Sequence, residues 1–60
     1  MRAVIDTNKQ VILVKEGRKI VRKQKFDIVE TTVNFSNNTI TYTEGTTEGK
    51  IQVDGEVDII

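Results

Sequence analysis

The chain has 60 residues, 37% of them hydrophobic, and its nine basic and nine acidic side chains leave a formal net charge of zero. It contains neither Cys nor His, which removes disulfides, thiolate nucleophiles, imidazole acid–base chemistry and the common zinc sites. A chain this short forms one domain, 1–60, and buries only about 60% of the surface its unfolded form exposes. It therefore needs a well-packed small core or association with another chain.

In chain order, "RAVID" and "QVILVKE" predict two strands joined by a turn at Thr7-Asn8-Lys9. The unbroken apolar run Val11, Ile12, Leu13, Val14 is the pattern of a strand covered on both faces. No long apolar run opens the sequence, as a secretory signal would require, and no stretch approaches the roughly 20 apolar residues of a membrane span. The expectation is a cytoplasmic protein without a membrane partner.

Glu16-Gly17 is a turn signal leading into "KEGRKIVRKQK", where six of eleven residues are Lys or Arg. The segment Arg18–Val29 has two readings. As a strand, it puts Ile20, Phe26 and Ile28 on one parity and Val29, Val33 and Phe35 on the other. The core-facing side then switches near Ile28-Val29, as at a bulge or a corner. As a helix, it aligns Ile20, Val21, Gln24 and Ile28 opposite Arg18, Lys19, Arg22, Lys23 and Lys25. The helix leaves Phe26 among the charges and has no capping residue at its start, so the β-branched composition favours the strand.

The stretch "TTVNFSNNTITYTE" reads as a hairpin turning at Asn37-Asn38, since Asn tolerates the positive φ of a two-residue turn. That turn sets Phe35 opposite Ile40, Val33 opposite Tyr42 and Thr31 opposite Glu44. Thr32, Thr39, Thr41 and Thr43 then share the other, solvated face. Two glycosylation-type triplets, Asn34-Phe35-Ser36 and Asn37-Asn38-Thr39, read as by-products of this turn-rich composition. Near the end, Ile51, Val53, Val57 and Ile59 share one parity. This favours a strand bent or bulged at Gly55, with a three-residue loop pairing Val53 and Val57 as the alternative. The sum is an all-β domain: a small antiparallel sheet of five to six short strands, curled or closed into a small SH3-like or OB-like barrel.

For function, the sequence has no phosphate-binding loop, dinucleotide fingerprint or nucleophile elbow. Asp54, Glu56 and Asp58 alternate with Gly55 and Val57 like the wet side of a strand, and the spacing is not that of a calcium loop. No enzyme activity, cofactor, metal or small-molecule substrate is expected. The charge is unevenly divided. Residues 1–26 carry eight basic side chains against Asp6 and Glu16, and residues 27–60 carry seven acidic ones against Lys50. Either adjacent strands neutralise one another, or the two halves form complementary interaction surfaces.

A nucleic-acid reading uses Lys15, Arg18, Lys19, Arg22, Lys23 and Lys25 on phosphates and Phe26 for stacking, against a pI near 6.2. The favoured expectation is a non-catalytic protein–protein interaction module, a homo-oligomer or a component docking on a larger assembly. The exposed-looking Ile59-Ile60 pair adds to that expectation. Compact, Thr- and Asn-rich chains of this size also fit phage or other mobile-element accessory proteins.

Overall fold

Turn chemistry sets the hairpins. Gly17, at φ 64°, and Gly45, at φ 61°, each begin a two-residue connection, Gly17-Arg18 and Gly45-Thr46. Glycine at the first central position with positive φ is the demand of the II′ hairpin turn. The second of these turns is not singled out by the sequence signals above. The loop after the first strand is held differently: the Asp6 carboxylate accepts the backbone N–H groups of Asn8 and Lys9, each at 3.0 Å.

The computed structural model describes residues 1–33 and 38–60, with the backbone alone of Val33. The protein is all-β. Its strands are β1 Arg2–Asp6, β2 Val11–Glu16, β3 Lys19–Lys25, β4 Ile28–Val33, β5 Asn38–Glu44, β6 Thr47–Val53 and β7 Val57–Ile59. They form two sheets, ordered β3-β2-β1-β7 and β4-β5-β6. The inward side chains of both sheets meet in one core of Ala3, Ile5, Ile12, Val14, Phe26, Ile40, Tyr42, Ile51 and Val53.

No closed barrel is detected among the described residues. The reason lies at the two places where the chain changes sheet. At Phe26-Asp27, the Phe26 N–H still donates to Gln10 in the first sheet, whereas the Asp27 N–H donates to Thr43 in the second. At Asp54–Glu56 the chain returns, and β7 joins β1 in parallel, with Ala3 opposite Val57 and Ile5 opposite Ile59. The all-antiparallel expectation fails at that one pair. The expected bend at Gly55 is present, but it separates two strands in different sheets, and the alternative hairpin pairing Val53 with Val57 does not form. Any Cβ on Gly55 would collide with the Met1 carbonyl. Asn38 Nδ2 donates to the Gly55 carbonyl at 2.6 Å and so ties the crossing to β5.

The segment 19–25 is strand, not helix. The parity switch is present but comes earlier than expected, between Phe26 and Ile28: Phe26 is buried, Ile28, expected on the same side, is 64% exposed, and Val29 packs against the core. The register of β4 against β5 differs from the expectation. Tyr42 lies opposite Val29, Ile40 opposite Thr31 and Asn38 opposite Val33. Asn38 thus belongs to β5 and not to a two-residue turn, while the expected placement of Phe35 lies outside the described residues. The outward set is as expected: Thr32 pairs with Thr39, and Thr41 and Thr43 look to the same side.

Candidate interaction face

The pairing of β1, β2 and β3 decides where the basic segment points. Ala3 and Ile5 lie opposite Val14 and Ile12, and these in turn lie opposite Arg22 and Gln24. That alternation faces the core. The other face of the same strands carries Val4, Val11, Leu13 and Lys15, with Lys23 opposite Leu13 and Lys25 opposite Val11. A bulge alters the last turn of the pattern. Val14 pairs with Arg22 and Lys15 with Ile20, so Val21 has no partner and Ile20 moves to the outer face. Without the bulge Ile20 would share a side with Gln24 and Arg22.

The expected site residues are therefore divided. Lys23 and Lys25 stand together on the outer face. Lys15 is on the same face, half-buried beside Arg2. Arg18 occupies the Gly17-Arg18 turn and Lys19 the hairpin end opposite Glu16. Arg22 is drawn to the seam between the sheets, where its Nη2 donates to the Tyr42 hydroxyl at 3.2 Å. Tyr42 reaches that seam because its ring lies across Gly49 on β6, and a Cβ there would strike the ring. Next along β3, Gln24 donates to Glu44 at 3.3 Å. Phe26 is only 6% exposed and lies in the core, so its ring offers no face to a base.

The outer face also gathers residues absent from the expected set. Val11, Leu13 and Ile20 floor a shallow depression of about 280 Å³ whose rim is Lys9, Lys23, Lys25 and Asp6. The signal for Leu13 was the unbroken run at 11–14, which is apolar on both sides of the strand. Only the inner side is covered by the second sheet, so Leu13 remains half-exposed and Ile20 is 53% exposed.

Cross-strand neutralisation accounts for only part of the charge pattern. The basic strand β3 pairs with β2, whose own charges, Lys15 and Glu16, cancel. The described ion pairs are the Met1 amino group with Asp54 at 3.3 Å and Arg2 with Asp58. The latter is a two-pronged contact, with Nε donating at 2.8 Å. It raises the Arg2 pKa, first through the hydrogen bond to Asp58 and then through that residue's charge. Among the described residues, Lys9, Lys23 and Lys25 have no carboxylate within ion-pair distance. The opposite sheet presents Ile28, Glu30, Thr32, Thr39, Thr41, Thr43, Glu48, Lys50 and Gln52 on its outer face. The sandwich is thus basic on one side and hydroxyl-rich with scattered acids on the other.

Among the described residues, no helix is long and apolar enough to cross a membrane and no group of acidic side chains is placed to hold a metal ion. No family model, no characterised protein and no solved structure matches this chain.

Proposed function

We propose that this protein is a non-catalytic interaction module that docks on an acidic protein partner through the outer face of the β3-β2-β1-β7 sheet. The carrying observation is the juxtaposition there of uncovered Leu13 and Ile20 with the unpaired cations Lys9, Lys23 and Lys25. An apolar centre rimmed by three lysines and a single carboxylate, Asp6, fits a partner segment with an apolar anchor between carboxylates. The anchor contributes affinity by desolvation, and the charges set orientation and encounter rate. The lack of His and Cys supports a non-catalytic role.

Nucleic acid is the second reading, favoured by the same grouped lysines. Among the described residues it lacks aromatic support, because Phe26 and Tyr42 are both buried and single-strand binding draws on stacked rings.

The test measures fluorescence anisotropy of an acidic peptide with a central Leu, and of single-stranded DNA and RNA oligonucleotides, over a salt series. The proposal expects Ile20→Ser to weaken the peptide about tenfold, which is the loss of roughly one buried aliphatic side chain. It expects Lys23→Glu with Lys25→Glu to abolish binding. Oligonucleotide binding that falls steeply with salt and ignores Ile20→Ser would overturn it in favour of the second reading. Failure of every probe at low salt would overturn both.

A further inference from the structure

Among the described residues, four strands have one unpaired side: β3 and β7 in the first sheet, β4 and β6 in the second. An open edge invites pairing with another chain, and proteins blunt it by shortness, bulges or charge, lysine above all. β7 is three residues long. β3 bears Lys19, Arg22, Lys23 and Lys25 and a bulge at Val21. β6 carries Glu48 and Lys50 at mid-strand. β4 has no such protection. Its six residues pair with β5 without a register shift, include no Lys, Gly or Pro, and bear one charge, Glu30. Thr31 shares the inward face with Ile40 yet is exposed. β4 therefore overhangs the sheet it faces.

We propose that β4 pairs antiparallel with β4 of a second copy, joining two three-stranded sheets into one continuous six-stranded sheet. Charge selects the second copy as occupant. The β3 edge repels its own kind, whereas β4 presents a nearly uncharged row of backbone donors and acceptors to an identical row.

Symmetry then limits the register. A two-fold axis normal to the sheet keeps inward residues inward, so partners must share parity. Two registers use nearly all of the strand, one centred on Glu30 and one on Thr31. The first sets two carboxylates directly opposite each other, which is unfavourable. The second sets Thr31 opposite Thr31 and Glu30 opposite Thr32, pairings that favour hydroxyl hydrogen bonds. The structure assigns the Thr31-centred register. The same axis places both β3-β2-β1-β7 sheets on one side of the joined sheet, so their basic faces point the same way and the dimer is bivalent. The β4 edge is a different surface from the basic face, so each reading stands or falls alone.

Sedimentation equilibrium is expected to show a monomer–dimer equilibrium in the high-micromolar range. Thr31→Lys, which puts two cations across the axis, should weaken the dimer about tenfold with unchanged circular dichroism. An equimolar mixture of Thr31→Lys and Thr31→Glu should restore association. Because the chain has no Cys, Thr31→Cys should cross-link to itself under mild oxidation, since opposed Cβ atoms lie about 4.5–5.5 Å apart in such pairs, near disulfide reach. Gln52→Cys on the β6 edge should not. A monomer through the millimolar range overturns the proposal. So does a dimer indifferent to Thr31→Lys, growth beyond the dimer, or equal cross-linking through Gln52→Cys.

Discussion

The two outer faces are built from the same kind of strand, alternating and mostly β-branched, yet they meet solvent differently. On β4-β5-β6, Thr32, Thr39, Thr41 and Thr43 stand between Glu30, Glu48 and Lys50, and among the described residues no large apolar side chain other than Ile28 is left outside. On β3-β2-β1-β7, the outward positions of β2 are Val11, Leu13 and Lys15, flanked on β3 by Ile20, Lys23 and Lys25. The first face is finished by hydroxyls that water satisfies. The second keeps apolar surface open beneath lysines that, among the described residues, form no ion pair. Two faces of one sandwich thus show that a charge split along the chain has become a split between layers, because each half of the sequence mostly pairs with itself.

The inner sides of the two sheets should behave alike, and this is where the comparison breaks most readily. Ile5 in one sheet and Ile40 in the other are both fully buried. Ile5→Ala or Ile40→Ala is expected to cost about 2–5 kcal/mol, against a net stability of roughly 3–5 kcal/mol for so small a domain. Either variant should largely unfold both sheets together, as read by denaturant melts and amide exchange. Amide protection surviving in β4-β5-β6 when Ile5 is truncated would show that the sheets do not depend on a common core.

The next contrast sets a crossing between sheets against a turn within one. Gly17 has φ 64° and open space around its Cα, while Gly55 abuts the Met1 backbone. Gly17→Ala should cost about 1–2 kcal/mol from the left-handed conformation alone. Gly55→Ala should cost more, because the Met1 carbonyl must move and β1 with it. It should also strip exchange protection from β7 before the rest of the molecule. Equal losses in the two variants would mean that the crossing absorbs a methyl group freely.

How much of this was legible follows from what a period of two can encode. Parity was readable within β5 and along the outward threonines, and a switch near the Phe26 corner was readable too, though it comes before Ile28 and not after it. Register was not. Pairing Phe35 with Ile40 and pairing Thr31 with Ile40 both keep the apolar set on one side, since they differ by an even number of residues. Only the connection length distinguishes them, and a pair of asparagines suits a strand start as well as a turn. The parallel contact of β1 with β7 joins residues more than fifty positions apart, and no local signal announces it. The basic face was visible as charge, but its apolar centre depended on the bulge at Val21 that turns Ile20 outward. Phe26 was ambiguous because it sits at a corner, where its flanking charges belong to different sheets.

The smallest effect probes the charge layering itself. The molecule measures 29 × 23 × 18 Å, and the screening length falls from about 30 Å at ~0.01 M salt to ~10 Å at about 0.1 M and ~3 Å near 1 M. Attraction between the basic and acidic layers acts over the thickness of the sandwich, so the first increase in salt removes it and stability should dip. Repulsion between Lys23 and Lys25, neighbours on one face, acts over a shorter distance and yields only at higher salt, so stability should then recover. Each limb is worth a few tenths of a kcal/mol, as for exposed pairs generally. Lys23→Ser with Lys25→Ser removes the recovery attributable to repulsion, and the difference between variant and parent cancels the general effect of salt on apolar burial. Melting midpoints that rise in parallel for both proteins would mean that the lysines are already too well solvated to repel, and the contrast between the faces would then be one of apolar exposure alone.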